Sequence, residues 1–168
     1  ANSHEANFRY QKPLMGTFHS ICVRILRQEI ESLGVGFNKN FVIFDTTDTR
    51  QLIKVIMKEQ HIDEKEYKYR AILAHISKAK NQLITPHQYV EKTEQSRFTQ
   101  VVKQLFPLYR KRLLEHNALD FDDLLQKTVE ILESGSSILD KYQQKWQHVL
   151  VDEYQDTNFT QYRFIRLL

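Results

Sequence analysis

The chain has 168 residues, among them only four glycines, three prolines and one cysteine. Such scarcity of Gly and Pro excludes a loop-rich β-sandwich and a fibrous repeat, and it favours helices. Cys22 has no partner for an internal disulfide, which indicates a reducing compartment. No apolar run approaches the roughly 20 residues of a membrane span, and the polar N-terminus does not resemble a signal peptide. These absences predict a soluble, mainly helical, cytoplasmic protein.

Charge is divided unevenly along the chain. Residues 1–119 contain 19 Lys and Arg against 12 Asp and Glu, whereas residues 120–168 contain 5 against 9. A basic body with an acidic end is typical of a protein that binds nucleic acid with one part and a metal or basic partner with the other. Solvated helix faces without any ligand give the same balance, so charge alone leaves both interpretations open.

Apolar residues recur at helical spacing through most of the chain and predict six to eight helices. Capping residues mark where helices begin: Thr17, the run Asp45-Thr46-Thr47-Asp48, Thr85, Asp120 and either Thr157 or Asn158. The first helix should end at Gly34, where a positive φ costs little. A long helix is expected over about residues 94–115, and Pro107 should kink or split it.

Little sheet is expected. Short strands are predicted near Leu14 and at Val149–Val151, and residues 41–44 form a strand or an extended segment. Residues 133–137 contain Gly and three Ser and give the strongest loop signal of the chain. The sequence therefore predicts a mainly α fold.

The sharpest chemical signal is an apolar run, Val149–Val151, that ends in Asp152 and Glu153. Carboxylates at the carboxyl end of a buried strand lie where open α/β sheets bind ligands. One carboxylate can hold Mg²⁺ while the other polarises the water that attacks a γ-phosphate. An ordinary acidic turn before a helix would look the same, because Asp156 or Asn158 can serve as an N-cap.

Two weaker signals lie upstream. Residues 16–20 join Thr17, Phe18 and His19 at a helix N-terminus, where amides attract phosphate and aromatic rings can stack on unpaired bases. A cap, a core ring and a surface imidazole would explain the same three residues. Residues 119–124 place three Asp in the first turn of a helix, where acids stabilise the helix dipole, and Phe121 opens the apolar face of that helix.

Other chemistries fail on spacing. The seven histidines show no metal-ligand pattern with acids or with Cys22, and Ser77, Ser96 and Ser136 lack a nucleophile elbow. Residues 34–36 are not followed by the Gly, Lys and hydroxyl residue of a phosphate loop, and the sequence contains no Walker A motif.

Three segments in this order resemble superfamily 1 DNA helicases of the UvrD/Rep/PcrA group. The family's motif Ib and its following helix are similar to GTFHSICVRILRQEI, the helix before motif II is similar to NALDFDDLLQKTVEIL, and motif II, its Walker B element, is similar to HVLVDEYQDTNFTQYRFIRLL. The family's helical insertion, subdomain 1B, is similar to FVIFDTTDTRQLIKVIMKEQHID and RAILAHISKAKNQLITPHQY. The resemblance covers about residues 13–168.

The resemblance implies a nucleotide site in the parent protein. Asp152 would hold the Mg²⁺ of ATP, and Glu153 would activate the attacking water. Gln155 and Asp156 would contribute to binding the nucleotide and help couple its site to DNA-contacting motifs. ATP and Mg²⁺ are thus the cofactors expected of the parent, and none is expected in this chain alone.

The resemblance also implies DNA contacts. Thr17, Phe18 and His19 would contact single-stranded DNA, and basic helices would lie along single-stranded or fork DNA without reading its sequence. The candidate cations are Arg24, Arg27, Lys78, Lys80, Arg110, Lys111 and Arg112. We expect their contacts to go to phosphates, and aromatic contacts to go to base faces.

The family's phosphate loop should precede Gly16 and its later motifs should follow Leu168, so we expect a fragment of an ATP-dependent 3′–5′ DNA helicase that is inactive alone. Its partners would be DNA and the remaining helicase domains, with no membrane, in the cytoplasm at the nucleoid. Four segments are expected: residues 1–12, disordered or foreign to the natural chain; 13–34, part of a RecA-like 1A domain; 35–118, subdomain 1B; and 119–168, a return to 1A.

Two other functions stay open. A helicase-like subunit of a recombination or nuclease complex would share these motifs, and a helical protein-interaction module would need no DNA at all. Salt-dependent binding of single-stranded DNA discriminates the last of these, because affinity that rests on phosphate neutralisation falls steeply with salt.

Overall fold

The computed structural model describes residues 13–94 and 96–168, and the predicted state of residues 1–12 lies outside them. The described chain forms eight α-helices: α1 Phe18–Glu29, α2 Thr46–Glu59, α3 Tyr69–Lys80, α4 Pro86–Lys92, α5 Arg97–Glu115, α6 Phe121–Ser134, α7 Ser136–Lys145 and α8 Phe159–Leu167. The mainly α prediction is confirmed. No helix of the described chain combines the length and apolar character needed to cross a membrane.

The one sheet of the described residues has two short parallel strands. β1, Val42–Ile43, pairs with β2, Ala118–Leu119, so the prediction at residues 41–44 is confirmed. The strands predicted near Leu14 and at Val149–Val151 are wrong, since both segments are irregular. A parallel strand needs a neighbour for its backbone groups, and neither segment pairs with any described residue.

The predicted caps hold the helix starts. Thr17, Asp45, Thr85 and Asp120 each accept a backbone N–H of the following turn, which satisfies an amide that has no partner inside the helix. Asn158, rather than Thr157, caps α8. Its side chain accepts the Gln161 amide, and the Gln161 side chain accepts the backbone amide of Asn158. Helix α1 ends at Glu29, earlier than predicted, and a 3₁₀ turn, Ile30–Leu33, continues to Gly34, whose φ of 63° agrees with the prediction.

Two boundaries differ from the prediction. Helix α5 runs unbroken from Arg97 to Glu115 and contains Pro107, so the proline does not split it. The loop expected at 133–137 is wrong, because α6 continues through Ser134 and α7 begins at Ser136. Burial of Ile131 and Leu132 keeps the last turn of α6 on the core, which leaves Gly135 as the junction.

The helices bury two apolar cores. The first is built mainly by α1, α6, α7 and α8, with Leu26, Ile131 and Tyr142 among its buried residues. The second is built by α2, α3, α4 and α5, around Ile53 and Phe106. Polar residues at the end of α3 and the start of α6 bond to each other and position the candidate site.

Candidate nucleotide and nucleic-acid site

Asp152 and Glu153 lie on an exposed turn just before α8. Glu153 adopts the left-handed conformation, with φ 48°. Its amide donates to the Asp152 carboxylate at 2.9 Å, and its own carboxylate accepts from the Gln155 side chain. A 3₁₀ turn, Tyr154–Asp156, then leads to the cap of α8. Both carboxylates therefore face solvent at a turn held by local hydrogen bonds.

The carboxylate pair can supply part of a cation site. Neither side chain has an ion-pair partner within the described chain, and Asp156 beside them is also exposed. In the described segments no group of three or more Asp, Glu, His or Cys side chains is arranged to hold a metal. Mg²⁺ commonly combines one or two carboxylates with waters and substrate phosphates. These residues fit that mode of binding, in which nucleotide phosphates complete the shell.

The segment before the carboxylates is uncovered. Leu150 is 97% exposed, and Val149 is also exposed. Leu14 and Met15 at the other predicted strand are exposed as well, Met15 to 82%. Each of these two segments thus exposes two consecutive apolar side chains, and contiguous exposed apolar surface marks interaction sites.

Thr17 and Phe18 have different surroundings at the start of α1. Thr17 is exposed, and its hydroxyl oxygen accepts from the Ser20 amide at 3.2 Å. Phe18 is half-buried and packs against the first core, with its ring 6.4 Å from that of Phe164 in an edge contact. Thr17 is thus available to a ligand, whereas Phe18 also serves the core.

His19 contacts the ring of Phe121, which helical spacing predicts on the apolar face of α6. The rings of His19 and Phe121 lie 5.7 Å apart at 88°. Phe121 is 48% exposed, so its assignment to the buried face of α6 is wrong. Helical spacing places it on that face, but as the first residue of α6 it has no preceding turn to cover it. No sequence signal separates these two situations.

The candidate cations lie on three helices and differ in availability. Arg24 on α1, Lys78 on α3 and Arg110 on α5 form no ion pair with any described residue, and Arg24 and Lys78 are exposed. Lys111 is exposed and only loosely paired, with Nζ 3.8 Å from a Glu115 oxygen. These four can approach a phosphate without breaking a close ion pair.

Two other candidates are engaged within the chain. Arg27 donates to the Lys39 carbonyl, and its guanidinium lies 3.8 Å from the centre of the Phe41 ring. Arg112 donates to Glu59 at 2.7 Å and contacts Glu115 at 3.5 Å. Binding a phosphate would weaken these contacts, so the two arginines are poorer candidates.

Lys80 is buried, and the structure removes it from the candidate DNA contacts. Its side chain is 2% exposed, and Nζ lies 2.6 Å from an Asp120 oxygen and 2.8 Å from an Asp123 oxygen. The Tyr109 hydroxyl donates to Asp120 at 2.9 Å. A buried charge must be paired, and this pairing fixes the end of α3 on the start of α6.

Burial and charge act in opposite directions within this buried group. Burial alone would lower the pKa of Lys80, but the charges of Asp120 and Asp123 outweigh it and raise that pKa. Burial opposes ionisation of Asp120, yet the Lys80 charge holds its pKa below the ordinary value. Burial and then the Asp120 charge raise the pKa of Asp123 to about 6. Lys80 is paired with both carboxylates, with Nζ slightly closer to Asp120 at 2.6 Å than to Asp123 at 2.8 Å.

Comparison with known proteins defines the class to which this fold and these residues belong. Residues 2–168 match the UvrD/REP helicase N-terminal domain. The chain belongs to this family of helicase domains.

Individual relatives agree. The chain is 44% identical over 154 residues to the ATP-dependent DNA helicase PcrA of Bacillus subtilis, covering 92% of this chain and 20% of that protein. It is 41% identical to the ATP-dependent DNA helicase PcrA of Staphylococcus aureus, covering 92% of this chain and 21% of that protein. The chain thus spans about one fifth of the length of these relatives.

Proposed function

We propose that this chain is the part of an ATP-dependent 3′–5′ DNA helicase that contacts single-stranded DNA and supplies the motif II carboxylates. The observation that carries the proposal is the pair Asp152 and Glu153, which is exposed and has no ion-pair partner among the described residues, in a chain of this family. Within it, residues 13–34 and 119–168 belong to the RecA-like 1A domain, and residues 35–118 form subdomain 1B. Such a protein acts on DNA at the nucleoid.

The nucleotide half of the proposal assigns roles to four residues. Asp152 holds Mg²⁺, Glu153 accepts a proton from the attacking water, and Gln155 and Asp156 connect this turn to the DNA-contacting parts. ATP and Mg²⁺ are cofactors of the longer protein. Phosphoryl transfer depends on positioning and electrostatics, and this sequence has no phosphate loop, so the chain alone does not turn over ATP.

The DNA half rests on the helix start at Thr17 and on the available cations. Thr17 and the first amides of α1, which have no acceptor within the helix, face a phosphate, while the His19–Phe121 pair offers ring surface to unpaired bases. The cations that neutralise phosphates are Arg24, Lys78, Arg110 and Lys111. No part of this arrangement reads base edges, so binding is independent of sequence on single-stranded and fork DNA.

The remaining helicase domains are the proposed partner of the exposed apolar segments. Leu14, Met15, Val149 and Leu150 are all exposed. Residues further along a longer chain would complete a parallel sheet with these two segments and cover both faces, as parallel sheets require.

We expect Phe121→Ala to weaken single-stranded DNA binding by about 5- to 150-fold, because stacking of a base on an aromatic ring contributes roughly 1–3 kcal/mol. The measurement is fluorescence anisotropy with a labelled oligodeoxythymidine. Phe159→Ala is the matched control, since Phe159 is 53% exposed at the start of another helix. Equal affinities of the Phe121→Ala variant and the unsubstituted chain would show that this ring does not contact the DNA.

A further inference from the structure

Asn81, at the end of α3, connects three separate parts of the chain through one side chain. Its amide nitrogen donates to the Ser77 carbonyl at 2.9 Å and to an Asp122 oxygen on α6 at 2.8 Å. Its side-chain oxygen accepts from the Asn158 amide at 2.6 Å. Both polar ends of the Asn81 amide are thus used, and two of its bonds reach residues more than 40 positions away.

The two outer residues, Asn158 and Asp122, determine which groups donate and which accept in these hydrogen bonds. Asn158 uses its side-chain oxygen to accept the Gln161 backbone amide as the cap of α8, so its nitrogen must point to Asn81. An ionised carboxylate accepts only, so Asp122 requires a donor from Asn81. Thr160 adds a second link, donating to the Asn81 carbonyl at 2.8 Å. The hydrogen bonds of Asn158, Asn81 and Asp122 therefore all run in one direction: Asn158 donates to Asn81, and Asn81 donates to Asp122.

The start of α8 is in turn tied closely to the candidate catalytic turn. Asn158 lies five positions after Glu153, and local bonds fill the interval. The Asp156 amide donates to the Glu153 carbonyl at 2.9 Å, and the Thr157 hydroxyl donates to the Tyr154 carbonyl at 2.8 Å. A shift of Asn158 must therefore move the turn that carries Glu153.

The other end of this series of hydrogen bonds is anchored. Lys80 precedes Asn81 and is held in the buried group with Asp120 and Asp123, at 2.6 and 2.8 Å. The end of α3 thus cannot move independently of the start of α6, where Asp122 lies. Lys80 fixes the end of α3 on α6, and the next residue, Asn81, extends the connection to α8.

We propose that Asn81 is a positioning residue, which fixes the Asp152–Glu153 turn by holding the Asn158 cap. It links the helices of the proposed subdomain 1B to motif II, and so to the nucleotide site. The catalytic meaning of this role rests on the proposed function, whereas the mechanical link does not.

The test is amide hydrogen exchange on the 168-residue chain, read at Asp156, Thr157 and Gln161. We expect Asn81→Ala to reduce protection at these amides by about tenfold, as the loss of one or two hydrogen bonds implies. Asn117→Ala is the matched control, because Asn117 also bridges distant segments, bonding Asn38 at 3.0 Å. The Asn117→Ala variant should lower the melting temperature without a selective loss of exchange protection at Asp156, Thr157 and Gln161.

A swapped pair separates a direct bond from general loosening. Asn81→Asp alone places a carboxylate against Asp122 and should reduce protection at the same amides. Adding Asp122→Asn restores a donor facing that carboxylate, while Asn158 still donates to it. Protection should therefore rise clearly above that of Asn81→Asp alone, although the bond from the Asn81 amide to the Ser77 carbonyl stays lost. Unchanged protection in Asn81→Ala, equal losses in the Asn117 control, or no recovery in the swapped pair would overturn the proposal.

A parallel measurement of ATP hydrolysis keeps the two proposals distinguishable. A loss of turnover on Glu153→Gln, in a full-length helicase that carries this segment and a phosphate loop, supports the catalytic role of the turn, and unchanged turnover counts against the proposed function. The hydrogen-exchange result does not depend on that measurement, because protection at Asp156 and Thr157 is measured without metal or nucleotide.

Discussion

Lys80→Met should destabilise the chain by about 3–5 kcal/mol, since it leaves two buried carboxylates without their cation. Lys80 is 2% exposed and contacts Asp120 and Asp123. The expected loss is a large part of the roughly 5–15 kcal/mol that stabilises a typical domain. Urea unfolding followed by circular dichroism measures it.

Two further variants make this result specific. Lys78→Met changes an exposed lysine on the same helix and should alter the free energy of unfolding by less than about 0.5 kcal/mol. Combining Lys80→Met with Asp120→Asn and Asp123→Asn removes all three charges and should recover more than half of the loss, because a complete neutral replacement leaves no unpaired ion. A stable Lys80→Met chain, or a triple variant worse than the single one, would contradict the assigned pairing.

Glu153→Gln should lower the kcat for ATP hydrolysis by about 10²–10⁴ in a full-length helicase that carries this segment and a phosphate loop, because a positioned general base contributes that factor. The amide retains the size of the side chain but cannot take the proton. Single-stranded DNA affinity should stay unchanged, since the substitution leaves the helix start at Thr17 intact. A coupled assay of phosphate release gives kcat, and anisotropy gives the affinity.

Glu91→Gln is the control for this substitution, because Glu91 is an exposed glutamate on α4. It should leave both kcat and DNA affinity unchanged. Turnover by Glu153→Gln within about threefold of the parent protein would remove Glu153 from its role as the base.

Local signals in the sequence were enough to predict most of the helices. Capping side chains at Asp45, Thr85 and Asp120 act within three residues of the helix start, so they can be read without knowing the fold. The strand predicted at Val149–Val151 failed because strand formation depends on a neighbour that periodicity cannot supply. β2, Ala118–Leu119, was missed for the same reason, since two residues carry no period.

The candidate site divides in the same way. Asp152 and Glu153 were recognisable because an abrupt change from apolar to acidic residues is a local pattern. The burial of Lys80 was not, because its counter-ion Asp120 is 40 positions away. The exposure of Phe121 and its contact with His19 also depend on how α1 and α6 meet. Contacts between distant segments are what the sequence alone could not provide.

We expect this chain to bind single-stranded DNA mainly through its phosphates. Titration of a labelled oligodeoxythymidine at about 50 and 200 mM salt tests it most directly, since each neutralised phosphate makes affinity fall with salt. We expect a Kd of roughly 10⁻⁴–10⁻⁶ M at physiological salt and tighter binding at low salt. Changing Arg24, Lys78, Arg110 and Lys111 to Ala should weaken binding and flatten the salt dependence.

Lys141 and Arg163 supply the matched control, because both are paired with glutamates of the chain. Changing them to Ala should leave the salt slope and the affinity close to those of the parent chain. Binding that is absent at low salt, or that responds neither to salt nor to the four substitutions, would contradict the account and favour a helical protein-interaction module.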